Sequence, residues 1–262
     1  MKITDYYNKS TLNGKKIIVA GGSSGIGAAL AKAASQLGAS IILVGRDKSK
    51  LNKTSEFLNT DMNQQHLYYS VDLSSFDNSN ELFNNLRDEN KSIDGIVWSA
   101  GKELIKSSRL LSEEDVMETF GASNFGFLGA LKSFSSKRFW SENGGSIIIT
   151  SSIASKMSMP GMAVYGASKS SFSGMLNPLA KELSDYNTRI NLLLMGAIKT
   201  DMHRRILSNT SKKAVENYEN RHLFGFGETS DVIPMLIFLL SDLSKWITGT
   251  QITVDGGYYA NS

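Results

Sequence analysis

Short apolar runs alternate along the chain with longer segments whose apolar residues follow helical spacing. Six runs, most of them rich in β-branched residues, predict buried strands at 17–20, 41–44, 93–99, 147–150, 190–194 and 252–254, and a weaker run predicts another at 66–71. Helices are predicted at 26–37, 49–58, 76–87, 113–139 and 165–183. Strands without polar alternation are covered on both faces, so the pattern predicts an α/β fold: a doubly wound, Rossmann-like parallel sheet with helices on both faces.

Composition narrows the functional classes. The 262 residues include 28 Lys and Arg against 25 Asp and Glu, a net charge of +3 that does not favour nucleic acid as a partner. There is no cysteine, which excludes a disulfide framework, a thiol nucleophile and a Cys-ligated zinc, and we expect no metal. No linker is visible, so residues 1–262 are expected to form a single domain.

The targeting features of the sequence favour a soluble protein. The first residues carry charges where a signal peptide would need an apolar stretch. The longest apolar stretch, 232–240, is too short to span a bilayer and contains Pro234. We therefore expect a cytoplasmic protein with neither a membrane nor a nucleic acid as its partner.

A glycine-rich segment at 20–27 joins the first predicted strand to the first helix. Its spacing is G-x-x-x-G-x-G, through Gly21, Gly25 and Gly27, and it differs from the dinucleotide fingerprint G-x-G-x-x-G. A diphosphate at this helix N-terminus could accept hydrogen bonds from unpaired backbone N–H groups, provided that no side chain blocks its approach. A tight turn without a ligand is the alternative.

Residues at the end of the second strand bear on the choice of cofactor. An acidic residue at this place would hold ribose hydroxyls, whereas an arginine can neutralise a 2′-phosphate. Arg46 therefore favours NADP(H) over NAD(H), with a solvated surface charge as the alternative. The adjacent Asp47 precedes a helix, where an N-cap role is favoured.

Tyr165 and Lys169 lie four residues apart, which places them on one face of a helix. A nearby ammonium stabilises a phenolate, so we expect Lys169 to lower the pKa of Tyr165 and to suit it for acid–base work. Ser152 follows a predicted strand, at the edge where ligands of such sheets bind. A surface Tyr/Lys pair is the alternative for the first two, and a packing amide is the alternative for Asn124 in the helix at 113–139.

Taken in order, these motifs resemble the short-chain dehydrogenase/reductase family almost from end to end. Residues 20–27 resemble its T-G-x-x-x-G-x-G, residues 98–101 its N-N-A-G, and Asp72-Leu73 its adenine-contacting dipeptide. Residues 189–191 and 195–200 resemble the stretch near the nicotinamide carboxamide, and 248–257 resembles the closing strand. The resemblance implies the catalytic tetrad Asn124, Ser152, Tyr165 and Lys169.

The same resemblance implies hydride transfer between nicotinamide and a ketone or secondary alcohol. Ser152 would hold the substrate oxygen, Tyr165 would transfer the proton, Lys169 would bind the nicotinamide ribose, and Asn124 would support a water relay. The implied cofactor-binding residues are Gly21, Ser23, Ser24, Gly25, Ile26, Gly27, Arg46, Asp72, Leu73, Ser99, Ala100, Gly101, Tyr165, Lys169, Gly196, Ile198 and Thr200.

Four positions depart from the family pattern. Ala20 replaces a threonine, Trp98-Ser99 replace two asparagines, and Met195 replaces a proline. In the family the replaced threonine and asparagines mainly tie strands together near the cofactor, so local rigidity is in question. Trp98-Ser99 and Met195 are the features that favour the alternative function, an NADPH-binding sensor or regulatory protein without turnover.

The substrate is expected beneath a mobile cover at about 195–226. Its basic residues are Lys199, His203, Arg204, Arg205, Lys212 and Lys213. They favour an anionic carrier, and hence a carrier-bound 3-oxoacyl thioester, with a solvated helix face as the alternative. Other small carbonyl substrates stay open, and the resemblance implies a homodimer or a homotetramer.

Overall fold

The computed structural model of the protein describes residues 3–89, 92–208 and 211–261. Within these ranges the strands are β1 (Lys16–Ala20), β2 (Ser40–Gly45), β3 (Leu67–Ser70), β4 (Gly95–Trp98), β5 (Gly145–Ser152), β6 (Thr188–Met195) and β7 (Gln251–Val254). They form one sheet in the order β3-β2-β1-β4-β5-β6-β7, with every pairing parallel. The predicted doubly wound, Rossmann-like sheet is confirmed.

Helices cover both faces of this sheet. In the described ranges they are α1 (Gly25–Gln36), α2 (Lys48–Glu56), α3 (Phe76–Asp88), α4 (Glu113–Phe120), α5 (Gly126–Phe134), α6 (Ala163–Ser184), α7 (Asp201–Ser208), α8 (Lys212–Glu219) and α9 (Thr229–Leu240). Leu30 and Leu236 belong to a largely aliphatic core beneath α1, α2 and α9. Phe83 and Phe127 belong to a core rich in aromatic residues beneath α3, α5 and α6. Cover on both faces explains why the strands lack polar alternation.

The strand order reverses between β1 and β4. Ala20 at the end of β1 is level with Val44 on β2 and with Trp98 on β4. The segments that follow these strands therefore leave the sheet at one edge, and they diverge to opposite faces. In open α/β sheets such a reversal forms a crevice that binds ligands.

The prediction of one continuous helix at 113–139 is wrong, because the helix is interrupted and because it ends before residue 139. A five-residue π turn (Gly121–Phe125) separates α4 from α5, and α5 ends at Phe134. A π turn inserts an extra residue and rotates the helix face that follows. This rotation directs Gly126 and Gly129 onto the backbone before and at the start of α3, where an added Cβ would lie 2.0 Å from the Leu73 carbonyl oxygen and 2.2 Å from that of Phe76.

The hydrophobic pattern did not predict α7, α8 or α9 as helices. Apolar residues occupy every face of α9, so its sequence shows no amphipathic pattern. Pro234 also lies inside this helix, and proline is unfavourable within helices. The Pro234 carbonyl oxygen accepts a hydrogen bond from the Tyr7 hydroxyl at 2.8 Å, so this helix is tied to the N-terminal segment.

Candidate active site

The glycine loop between β1 and α1 lies against the segment that follows β4. Gly21 has a φ of 86°, and a Cβ there would lie 2.8 Å from the backbone nitrogen of Ala100. A Cβ at Gly27 would lie 2.3 Å from the Gly21 carbonyl oxygen, so the first turn of α1 packs directly on the loop. Within the described chain, the N-cap residue Ser24 makes no side-chain capping bond. The loop therefore has the clearance and the backbone donors that a diphosphate requires.

A cleft of about 430 Å³ opens above this loop. It contains fourteen of the residues predicted to bind the cofactor: Gly21, Ser23, Ser24, Gly25, Ile26, Arg46, Asp72, Leu73, Ser99, Ala100, Gly101, Tyr165, Lys169 and Thr200. Gly27 lies behind the loop, and Gly196 and Ile198 line a smaller neighbouring pocket. We call the larger space the cofactor cleft and the smaller one the substrate pocket.

Four charged residues at the end of the cofactor cleft distant from Tyr165 differ in their exposure and in their hydrogen bonds. Arg46 is exposed on the cleft wall, and Lys50 lines the same wall. The carboxylate of Asp47 accepts a hydrogen bond from the Lys50 backbone N–H at 3.0 Å, so it caps α2 as predicted. Asp72 accepts hydrogen bonds from the backbone N–H and the hydroxyl of Ser74 at 3.0 and 2.8 Å.

Ser152, Tyr165 and Lys169 meet where the cofactor cleft joins the substrate pocket. Ser152 ends β5, and its hydroxyl accepts the Ala154 backbone N–H at 3.1 Å and forms a hydrogen bond with Tyr165. Lys169 is 6% exposed, and its Nζ donates to the Thr150 carbonyl oxygen at 3.3 Å. Its Nζ lies 5.9 Å from the centroid of the Tyr165 ring.

Asn124 lies in the π turn, packed against α6. Its Nδ2 donates to the Ser168 carbonyl oxygen at 3.1 Å and to the Ser171 hydroxyl at 2.7 Å. Among the described residues, its Oδ1 and the neighbouring Ser123 hydroxyl are buried without a hydrogen-bond partner. Buried polar atoms of this kind are suited to bind a water molecule.

The expected lowering of the Tyr165 pKa is wrong. Burial is the main cause that raises the pKa of this phenol above its ordinary value, and the Glu103 carboxylate raises it further. The hydrogen bond with Ser152 opposes these effects. Burial also lowers the pKa of Lys169 to about 8, against the opposing effect of Glu103. The phenol therefore stays protonated at neutral pH.

Glu103 is a site residue that the sequence analysis missed. It follows Gly101 by two residues in the loop after β4, and it lines both the cofactor cleft and the substrate pocket. Burial raises its pKa to about 7, although the charge of Lys169 acts in the opposite direction. Its position beside the N-N-A-G-like segment was the available signal, since loops that follow the strand ends carry site residues.

The substrate pocket has a volume of about 110 Å³. Apolar and polar groups share its wall, and the apolar ones include Met157, Met159, Met162, Met195 and Met202. The polar side chains are those of Glu103, Ser151, Ser152, Tyr165, Thr200, His203, Tyr218 and Tyr258. A space of this size encloses a small molecule or one end of a larger one.

The basic residues of the predicted cover are dispersed. Lys199 pairs with Glu228 at 3.1 Å, and Arg204 pairs with Asp201 at 2.5 Å. Arg205 lines the cofactor cleft, and His203 is buried. Lys212 and Lys213 lie exposed at the start of α8. Residues 209 and 210 of the cover lie outside the described residues.

The departures from the family pattern have structural replacements at β4. Trp98 is 1% exposed, and its indole N–H donates to the Ser123 carbonyl oxygen at 3.1 Å. The Thr150 hydroxyl donates to the Trp98 carbonyl oxygen at 3.2 Å. Side-chain hydrogen bonds therefore still tie β4 to the π turn and to β5.

No helix in the described ranges has both the length and the apolar character needed to cross a membrane.

Comparison with known proteins identifies the family. A family model described as "Enoyl-(Acyl carrier protein) reductase" matches residues 20–259. Carbonyl reductase family member 4 of Danio rerio is 30% identical over 242 residues, covering 92% of this chain and 96% of that protein. The 3-oxoacyl-[acyl-carrier-protein] reductase FabG of Chlamydia trachomatis is 30% identical over 248 residues, covering 93% of this chain and 96% of that protein.

A solved structure agrees with these relatives. A short-chain type dehydrogenase/reductase from Mycobacterium ulcerans superposes with a TM-score of 0.86 at 28% identity, covering 95% of this chain and 91% of that chain. The chain is thus an oxidoreductase of carbonyl or alcohol groups that uses a nicotinamide cofactor, and it belongs to the short-chain dehydrogenase/reductase family.

Proposed function

We propose that this protein is an NADPH-dependent reductase of small ketones. The observation that carries the proposal is the meeting of Ser152, Tyr165 and Lys169 at the junction of two spaces. The cofactor cleft is large and has backbone donors, whereas the substrate pocket is small and has a wall of methionines and polar side chains. A carbonyl in the pocket would lie between the phenol and a nicotinamide in the cleft.

The residues of the cleft fit a dinucleotide. The glycine loop and the N-terminus of α1 would hold the diphosphate, Asp72 and Leu73 would contact the adenine, and Lys169 would hold the nicotinamide ribose. Ser99, Ala100, Gly196, Ile198 and Thr200 would complete the binding site. When bound, the nicotinamide supplies the hydride.

Tyr165 can act as the acid in a reduction. An ordinary phenol, with a pKa of about 10, is neutral at physiological pH, and burial and Glu103 raise the pKa of Tyr165 further. The phenol can therefore donate a proton to the oxygen of a carbonyl that is being reduced. Ser152 would hold that oxygen. The Oδ1 of Asn124 is buried without a hydrogen-bond partner in the part of the chain that the structure describes, and this supports a water-mediated path that returns a proton to the site.

Charge at the far end of the cleft supports a preference for NADPH over NADH. Arg46 and Lys50 line the wall where the adenosine ribose would lie, and they could neutralise a 2′-phosphate. Asp47 also lines the cleft, but one of its carboxylate oxygens accepts the Lys50 backbone N–H and the other lies 3.7 Å from the Lys50 ammonium, so both are engaged by Lys50.

A carrier-bound 3-oxoacyl thioester is the second substrate candidate. It is favoured by the relation to the carrier-protein reductase and by the exposed Lys212 and Lys213. Lys199 and Arg204 contribute less positive charge for binding an anionic carrier, because both form ion pairs with carboxylates. The described parts of 195–226, including α7 and α8, would form a mobile cover on a single domain.

Exposed apolar residues support a homodimer or a homotetramer. Val116 and Met117 are 37% and 52% exposed on α4, which belongs to the helical region that the resemblance assigns to pairing. Phe224 is 89% exposed and Trp246 is 97% exposed, and both would be covered by a partner subunit at the C-terminal strand. Apolar residues mark an interface when they form a contiguous patch, so the oligomeric state decides whether these do. Light scattering coupled to size exclusion would report the mass of the assembly.

The experiment that tests the function is NADPH oxidation against a panel of ketones, aldehydes and an acetoacetyl thioester. Tyr165→Phe should lower kcat by at least about a thousandfold, because the proton donor is lost, while the NADPH Kd stays within about threefold, since the ring still packs. Ordinary turnover by Tyr165→Phe would refute the proton donor. NADPH binding without turnover of any carbonyl by the native protein would favour a sensor instead.

A further inference from the structure

Two polar side chains of the substrate pocket have no part in the proton and hydride transfer. Glu103 places its carboxyl group at the junction of the cofactor cleft and the substrate pocket, beside the reacting groups. His203, on α7, also lines the pocket and is 6% exposed. Its Nε2 is buried and has no hydrogen-bond partner among the described residues. A buried polar atom without a partner is costly unless a ligand or water satisfies it.

The pocket wall has an apolar part and a polar part. Five methionines, Ile153 and Ile198 form much of the apolar part, and the Phe226 ring lies edge-on to His203, with the centroids 4.8 Å apart. Methionine side chains are flexible and pack against varied apolar shapes. Hydroxyl groups of serine, threonine and tyrosine also line the pocket, yet His203 Nε2 has no hydrogen-bond partner among the described residues. The pocket therefore combines an adaptable apolar part with a carboxyl group and an imidazole that a ligand can reach.

Several charged and titratable groups surround the carboxyl of Glu103. Lys169 and Tyr165 face it from α6, and Tyr218 faces it from α8. Its sequence neighbour Lys102 forms an ion pair with Glu118 of α4. Lys169 is the group expected at the cofactor ribose, so bound cofactor would compete with Glu103 for it.

His203 remains neutral under ordinary conditions. Burial lowers its pKa, and His222 and Lys199 lower it further, against the opposing effect of Glu219. A neutral imidazole can accept a hydrogen bond at the nitrogen that carries no proton. The pocket therefore presents a carboxylate and a second site that can accept a hydrogen bond.

We propose that Glu103 and His203 make the pocket select small ketones whose non-reacting end donates hydrogen bonds. A protonated amine at that end is preferred to a hydroxyl group, and a carboxylate at that end is excluded. This inference rests on the proposed ketone reduction and names its substrate class. The partly buried carboxylate of Glu103 attracts a substrate ammonium more strongly than a neutral hydroxyl group, which gives the order of preference. The same carboxylate repels a substrate carboxylate.

The test uses four ketones that share an acetyl-methylene skeleton: aminoacetone, hydroxyacetone, butanone and acetoacetate. We expect kcat/KM with NADPH to fall in that order, with aminoacetone at least about a hundredfold above acetoacetate. Glu103→Gln should lower the ratio of aminoacetone to butanone about tenfold. His203→Phe keeps an aromatic ring and removes the acceptor, so the ratio of hydroxyacetone to butanone should fall about threefold.

A pH series separates charge recognition from a structural role of Glu103. In the native protein the ratio of aminoacetone to butanone should rise as the pH increases through about 7, because the carboxyl group loses its proton there. His203 does not contribute to this rise, because burial lowers its pKa and it stays neutral as the pH increases through about 7. Glu103→Gln should abolish the rise, whereas Glu142→Gln, the same change at an exposed turn, should retain it.

Equal ratios in the native protein and Glu103→Gln just above pH 7, where Glu103 is ionised and the amine of aminoacetone still carries its proton, would overturn the inference, as would a preference for acetoacetate. Calorimetric binding of aminoacetone and butanone to the protein loaded with NADP⁺ measures the same discrimination without turnover. Absence of turnover with every ketone would contradict the proposed function, while the binding ratios would still decide the substrate class.

Discussion

The cofactor cleft and the substrate pocket share Tyr165, but they are built in different ways. The cleft is shaped by backbone, through a glycine loop in which Gly21 and Gly27 allow close approach. The pocket is shaped by side chains from distant segments, including Glu103 after β4 and His203 on α7. A short stretch of sequence therefore encodes the glycine loop, to which residues after several other strands add the rest of the cleft wall. The pocket has no such local feature, and folding alone assembles it.

Among changes that compare the two regions, the largest effect on cofactor binding is expected from a methyl group added inside the glycine loop. Gly27→Ala would place a Cβ 2.3 Å from the Gly21 carbonyl oxygen, so the loop must shift. We expect the NADPH Kd to rise at least about a hundredfold, and the free energy of unfolding to fall by about 1–3 kcal/mol, as overpacking does elsewhere. Fluorescence titration and chemical denaturation measure the two quantities.

Gly174→Ala is the matched control for this change. Gly174 lies in α6, and a Cβ there meets no atom of the described structure within 4 Å. Alanine is favoured over glycine inside a helix by about 0.5–1 kcal/mol, so this variant should be as stable as the native protein or more so. Native NADPH affinity in Gly27→Ala would show that backbone clearance does not define the cleft.

A smaller effect should separate Arg46 from its neighbour Asp47. Arg46→Ala should raise the Kd of NADPH about tenfold and leave that of NADH nearly unchanged, because the lost charge would face the 2′-phosphate. Asp47→Ala removes the cap of α2, so it should lower the stability by about 1 kcal/mol without changing the cofactor preference. A change in preference with Asp47→Ala alone would assign ribose recognition to the carboxylate.

The smallest effect concerns acid stability on the pocket side. The Nε2 atom of His222 accepts the Ala197 backbone N–H at 3.1 Å, and burial lowers the pKa of this histidine. The unfolded chain therefore binds the proton more readily, so stability is complete above the ordinary histidine pKa of about 6.5 and falls as the pH decreases below it. Burial of His203 acts in the same direction.

His222→Gln supplies a neutral acceptor that does not titrate in this range. The decrease in Tm between neutral and mildly acidic pH, on the order of a few degrees in the native protein, should become smaller in this variant. Calorimetry at several pH values measures it. An unchanged decrease would show that the titration of His222 does not affect this side of the pocket.

The contrast between the two regions also explains what could be predicted from the sequence. The strands and the glycine loop are local patterns, and the order of the motifs indicated the parallel sheet. The break at the π turn depends on contacts of Gly126 and Gly129 with residues about 50 positions earlier, which periodicity does not report. The raised pKa of Tyr165 depends on burial and on Glu103, two properties of the folded chain.

Trp98 shows how a departure from a motif can be compensated. Asparagine at such a position would hydrogen-bond through its amide, whereas the indole of Trp98 reaches the Ser123 carbonyl oxygen and fills the aromatic core beside Phe83 and Phe127. The sequence alone showed that position 98 lacks the asparagine amide of the family motif. The replacing contact lies 25 residues away and required the structure.

The place of that indole also supplies an optical signal. It is held rigidly, one residue before Ser99 on the wall of the cofactor cleft. Tryptophan emission overlaps the absorption band of a reduced nicotinamide, so occupancy of the cleft should quench this fluorophore by energy transfer. The residue that departs from the family pattern thereby lets the protein report its own cofactor binding without an added label.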